Sequence, residues 1–176
     1  CDLCPLGPNG CLFQEASEPV GPELHGGAAV LAVAESPGPE EVLRGRPLVG
    51  RSGTEWQLGL AVIRKQRPDI DLTNVIECKP PGQPSGAWSR MNKKLDQINK
   101  KRSNQGLEPW LHPATCCRPR LLDLASKYKN IITLGRVATH ALTNKNRSIH
   151  AVRGGPMRVT ADWEITQDES APHRLM

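Results

Sequence analysis

Three carboxylates sit directly behind an apolar run, and they are the first chemistry the sequence offers. Residues 33–53 read VAESPGPEEVLRGRPLVGRSG, so Glu35, Glu40 and Glu41 follow the apolar stretch 28–33. A loop this rich in Gly and Pro suits a site held at the end of a strand. It has neither the Gly-Lys-Ser/Thr ending of a Walker loop nor a Gly-x-Gly-x-x-Gly directly after the strand. Its acids would repel a pyrophosphate. They suit another task, polarising a water or stabilising a developing cation; the plainer alternative is surface groups capping a helix start. Cysteine is the second chemical set, at positions 1, 4, 11, 78, 116 and 117. A disulfide scaffold would be a smaller, more Cys-dense chain, and the adjacent Cys116 and Cys117 suit two separate disulfides poorly. A Cys-x-x-Cys pair with distant single cysteines fits a metal or cluster site better.

The 176-residue chain has a formal charge of +5, and the charge is unevenly spread. Residues 90–102 read RMNKKLDQINKKR, and Arg118, Arg120, Arg136, Arg147, Arg153 and Arg158 follow. A basic surface suits a polyanion, since each neutralised phosphate releases counterions; a solvated helix face is the alternative. Trp88 and Trp110 flank the basic run, where an exposed ring could stack on a base or anchor the segment to the body. No apolar run approaches the roughly 18–20 residues of a membrane span. The chain starts at Cys1 rather than Met, as a processed or trimmed product would. A cytoplasmic monomer that binds DNA and no membrane is the expectation.

These residues need elements to position them. Residues 28–35 and 130–135 read as buried strands, and 72–78 as a third. Residues 53–66 carry Trp56, Leu60 and Ile63 at helical spacing, with Pro68 as the stop. Residues 118–128 and the segment from Arg136 to Leu142 read as helices, 156–166 as a strand or hairpin, and the basic segment 87–112 as helical in its middle. Strands alternating with helices predict a three-layer α/β/α fold on a mainly parallel four-stranded sheet. One domain spans 1–176, with a basic insertion at about 84–113. Ligands of such sheets bind outside the carboxyl ends of the strands. The loops at that edge are 35–53, 78–86 and the one from Gly135.

The order of motifs is more specific than any one of them. C-x-x-C-P-L at 1–6 precedes the A-E-S-P-G-x-E-E loop. G-R-P-L-V-G-R-S-G at 45–53, T-N-V-I-E-C-K-P-P-G at 73–82, C-x-P-x-L at 117–121 and I-I-T-L-G at 131–135 follow. This series resembles the uracil-DNA glycosylase superfamily, in particular its iron–sulfur branch, called family 4, over residues 1 to about 155. The resemblance implies a 4Fe–4S cluster on Cys1, Cys4, Cys78 and Cys117, with a Cys4 zinc site as the chemical alternative. It implies that Asn74 reads the pyrimidine edge, as its amide can pair with uracil N3–H and O4 or, turned over, with cytosine. Glu35 and Glu41 match acidic catalytic positions, and Gly38 lets the backbone approach the base. Arg51, Ser52, Lys79 and Arg153 would meet DNA phosphates.

The departures from that pattern bear on the substrate. Ser36 stands where other branches carry a water-positioning Asp or Asn, Leu48 where the family has a stacking Phe, and Gln83 where it has Asn. The C-terminal His-Pro-Ser motif, which supplies an anion-stabilising His, has no clear match in TQDESAPHRLM. Either His173 is that His, or Asp168 takes its place, or the His lies outside this sequence. The implied activity is flipping a pyrimidine out of DNA and hydrolysing its N-glycosidic bond, with uracil as the default base. Two alternatives stay open: a bulky modified cytosine, hydroxymethylated or glucosylated, in invading phage DNA, and a DNA-binding module that has lost catalysis.

Overall fold

The computed structural model describes residues 3–12, 14, 17–82, 87–143, 157–166 and 169–176. The strand expected at 28–35 is β1 (Val30–Ala34), and β2 (Asp71–Asn74) and β3 (Asn130–Thr133) lie on either side of it. All three run parallel, with Ala34 level with Asn74 and Val33 level with Thr133. Side chains alternate across a strand, and β1 uses both faces. Leu31 and Val33 enter the larger core with Leu121, Ile131 and Leu142, while Ala32 and Ala34 enter a smaller one with Leu48, Leu60 and Leu72. Burial on both faces explains why this strand is apolar throughout.

Helices cover those faces. The smaller core lies under α2 (Arg51–Val62), and the loop after α1 (Pro39–Arg44) adds Leu48 to it. On the larger side α3 (Ala87–Asn104) inserts Met91 and Leu95, and α4 (Pro113–Ala125) lies against α5 (Arg136–Thr143). The basic segment thus forms one long helix whose apolar stripe is buried and whose lysines face outward.

The sheet is wider than the expected four strands. β6 (His173–Leu175) extends the parallel set beside β3, and β4 (Met157–Val159) and β5 (Ile165–Thr166) add two short antiparallel strands, giving the order β2-β1-β3-β6-β4-β5. The parallel portion has four strands. The N-terminal strap closes the other edge: Glu23 exchanges two backbone hydrogen bonds with Leu72, at 2.8 and 2.9 Å. Among the described residues no helix is long and apolar enough to cross a membrane.

Candidate functional site: a cleft at the carboxyl ends of the strands

A cleft of about 1030 Å³ opens where β1 and β2 end. Its wall includes Glu35, Ser36, Gly38, Leu48, Arg51, Ser52, Asn74 and Lys79, so eight sequence candidates from three loops meet at one place. Parallel strands in register explain this. The residues after Ala34 and Asn74 leave the sheet side by side.

Glu41 also borders the cleft, but its carboxylate is engaged. Oε2 accepts from the Gly38 N–H at 2.9 Å, and Oε1 accepts from Val49 at 3.0 Å and Gly50 at 2.7 Å. The side chain is 7% exposed. In this geometry Glu41 is a clamp that joins the first loop to the second. Glycines border it on both sides, where a Cβ on Gly38 would lie 2.7 Å from Oε2 and one on Gly50 3.0 Å from Oε1; beyond them a Cβ on Gly53 would lie 2.1 Å from the Leu48 carbonyl oxygen. That carbonyl is aimed inward because Leu48 adopts φ 49°, a left-handed conformation costly for a Leu. Arg67 compensates by donating to it from Nη1 at 2.8 Å and to the Pro47 carbonyl from Nη2. Glu23 fixes Arg67 in turn, with 2.7 Å contacts to Nε and Nη2.

Asn74 ends β2, is 2% exposed, and its Nδ2 has no hydrogen-bond partner. Buried donors are almost always paired, so this one marks a place where a ligand acceptor belongs. The strand end around it is held by Arg120, which donates to the Asn74 carbonyl at 2.8 Å and to Thr73 Oγ1 at 3.2 Å, and pairs with Glu77 at 3.1 Å. Sequence reading counted Arg120 only as surface charge. Trp56, read as a core residue of a helix, also borders the cleft, with an equally unpartnered Nε1.

Glu35 also lines the cleft, just past the end of β1. Burial pushes its carboxyl above the usual range, and the charge of Arg136 opposes that without cancelling it. Lys79 reaches back to the carbonyls of Pro80 and Gly82 at 3.2 and 3.5 Å, while Arg51 and Ser52 open α2 on the exposed rim.

His173 lies elsewhere. It starts β6, and its neighbour Arg174 is level with Asn130, the first residue of β3. That is the amino edge of the sheet, a strand length from the cleft. Its ring stacks on Trp163 at 4.6 Å, and Nδ1 donates to the Tyr128 carbonyl at 2.9 Å. The expectation that His173 stabilises a leaving anion is therefore overturned by topology. Asp168 and Arg153 lie outside the described residues.

Four cysteines converge on one side of the larger core. Cys4 is buried, and Cys78, Cys116 and Cys117 pack against its cluster. Burial pushes Cys78 up to about 11 and Cys116 up to about 12, with the neighbouring sulfurs adding to the rise. Thiolates gathered without a cation are disfavoured, and a bound metal reverses this. The donor set suits a thiolate-bound cluster, although among the described residues no three side chains already form a metal-binding group. Cys1 lies outside those residues, and exposed Cys11 is not part of the gathering.

No family model matches the chain. Several curated proteins do, and each named here is a type-4 uracil-DNA glycosylase. The one from Archaeoglobus fulgidus is 43% identical over 54 residues, which is 31% of this chain and 27% of that protein. The one from Pyrobaculum aerophilum is 36% identical over 81 residues, 46% of this chain and 38% of its own length. The one from Sulfurisphaera tokodaii is 29% identical over 151 residues, covering 81% of this chain and 58% of that protein. The chain thus spans between about a quarter and three fifths of the relatives it matches.

Proposed function

We propose, from the premise that this chain belongs by sequence with the type-4, iron–sulfur branch of the uracil-DNA glycosylase superfamily, that it excises a pyrimidine base from DNA in this cleft and leaves an abasic site. The observation that carries the reading is the buried, unpartnered Nδ2 of Asn74 at the carboxyl edge of the sheet. A flipped uracil supplies what that amide lacks, with O4 accepting from Nδ2 and N3–H donating to Oδ1. Uracil is the default base because the relatives are named for it; a turned amide would serve cytosine.

N-glycosidic cleavage makes the sugar cation-like and the departing base anionic. Glu35, as a carboxylate beside the sugar, would stabilise the first and orient water with Ser36. Arg51, Ser52 and Lys79 would hold phosphates at the rim. Cys1, Cys4, Cys78 and Cys117 would hold a 4Fe–4S cluster, which when bound ties the N-terminal strap to α4 and the loop after β2. Cys117 lies one helical turn before Arg120, so this tie also fixes the strand end that carries Asn74.

The test is incubation with oligonucleotides carrying one uracil, cytosine, thymine or 5-hydroxymethylcytosine, followed by alkali, which cleaves at abasic sites. Scission at uracil is expected. Absence of scission with every base would overturn the reading. A second reading, a DNA-binding module without catalysis, draws support from one observation: no His lines the cleft among the described residues. It predicts salt-sensitive DNA binding with no base release.

A further inference from the structure

A second pocket, of about 390 Å³, lies between α3, α4 and α5. Trp88 and Asn92 of α3, His112 capping α4, Arg118 of α4, and Arg136 and His140 of α5 supply its polar and aromatic wall. Among the described residues, four glutamates border the cleft and no carboxylate lines this pocket. Asp96 acts on His112 only from outside that lining.

Hydrogen bonding within the wall turns it toward donors. His112 caps α4 by accepting from the Ala114 N–H on Nδ1 at 3.1 Å, so its proton is on Nε2. Nε2 then donates to Asn92 Oδ1 at 2.8 Å. Asn92 is left with its Nδ2 hydrogens, which can only donate. Arg118 is braced by Nε and Nη2 bonds to the Ala141 and Leu142 carbonyls at 2.8 and 3.3 Å, which leaves Nη1 outside both. The Arg118 guanidinium, an amide donor and the His140 ring therefore face a space whose described lining holds no carboxylate. Such a wall selects an oxyanion. Trp88, half-buried and 5.0 Å from the His112 ring, adds an aromatic surface beside it.

The pocket lies near the cleft. Arg136 lines it, and the same charge acts on Glu35 in the cleft wall. α3 starts a few residues after Gly82, the end of the cleft's third loop, and a Cβ on Gly82 would lie 3.6 Å from Arg90 of that helix.

We propose that this pocket is a subsite for the substrate strand: it takes the phosphodiester one or two nucleotides from the flipped base, with the base of that nucleotide against Trp88. This rests on the glycosylase reading and gives the basic segment a task within it. Base stacking on an aromatic strengthens binding about fivefold or more and is tolerant of sequence, so the subsite would grip DNA without choosing among bases.

The experiment uses the full chain and an oligonucleotide whose target is a 2′-fluorinated deoxyuridine, which resists excision. Photoreactive 5-iododeoxycytidine is placed at each flanking position in turn. Crosslinking to the Trp88 peptide from a base one or two positions away is expected, with little from farther positions. His140→Glu on the exposed face of α5 should cut that yield several-fold and lower the salt slope of binding by about one; Lys127→Gln, with the same charge change far from the pocket, should do neither. Trp88→Leu should raise the dissociation constant about fivefold or more. Excision of uracil by the parent chain without the Trp88 crosslink, or with one indifferent to His140→Glu, overturns the subsite and spares the activity. The crosslink without excision overturns the activity and keeps the subsite. Displacement of the oligonucleotide from Trp88 by low-millimolar inorganic phosphate at constant ionic strength overturns it in favour of a small free anion, and no DNA binding overturns both.

Discussion

The Gly50 N–H donates to Oε1 of Glu41 at 2.7 Å, and this bond ties the loop after α1 back onto the helix. With the Gly38 and Val49 bonds, one carboxylate satisfies three donors. Hydrogen bonds to a charged group contribute about 1.5–3 kcal/mol each, and stranding buried donors costs as much again. Glu41→Ala should therefore destabilise the chain by roughly 3–5 kcal/mol, read as the urea midpoint. Glu41→Gln, which keeps one acceptor oxygen, should lose about half of that. A Glu41→Ala chain of parental stability would remove the clamp.

Asn74 separates recognition from stability. Its Nδ2 bonds nothing in the protein, so Asn74→Leu should change the melting temperature by only a degree or two while lowering uracil release by a factor of about 10³ or more. Full excision by the Leu variant would show that the amide does not read the base.

Much of this site was legible in sequence, because parallel strands bring the residues that follow them to one edge. The apolar run before Glu35 was enough to find the first loop, but Asn74 came from the motif resemblance: the strand read at 72–78 ends at Asn74, four residues before Cys78. Arg120 was not legible, since it acts through carbonyls of a strand more than forty residues away. Nor was β6: three residues carry no periodicity, and His-Arg-Leu is a strand only because β3 offers it a free edge. The role expected of His173 failed for that reason, as chain order says nothing of which end of a sheet a short strand begins from.

Glu35 gives a pH-dependent signature. Its folded pKa lies above the ordinary 4.5. The native state then binds more protons than the unfolded one, and stability is lost as pH rises from about 4.5 through the raised value. Glu35→Gln should be more stable than the parent at pH 7, with the difference closing below about pH 4.5, while excision falls at least about a hundredfold. Equal stability curves for the two chains across that range would refute the assignment.

Glu23 works with the opposite sign. Burial disfavours its charge, but hydrogen bonds from Arg67 and Arg46 outweigh this and lower its pKa to about 2. Its contribution is complete above pH 4.5 and disappears as pH falls through about 2, amounting to roughly 3 kcal/mol at most. Glu23→Gln should flatten the acid limb of the stability profile between those values. It should also loosen the Arg67 brace on Leu48, raising KM for uracil-containing DNA more than it lowers kcat.

His173 provides the complementary test, of a residue whose place in the fold gives it no access to the chemistry. Its stacking on Trp163 and its bond to the Tyr128 carbonyl hold β6 and the β4–β5 hairpin to the body. Removing an aromatic pair and a buried hydrogen bond costs about 1–3 kcal/mol. His173→Ala should therefore melt several degrees lower, and the fraction that remains folded should excise uracil at the parental rate. Replacement by Phe should keep the stack and restore part of the loss, although the Tyr128 carbonyl stays unbonded. A large fall in kcat with the melting temperature unchanged would place His173 in the reaction after all, which its position at the amino edge of the sheet does not allow.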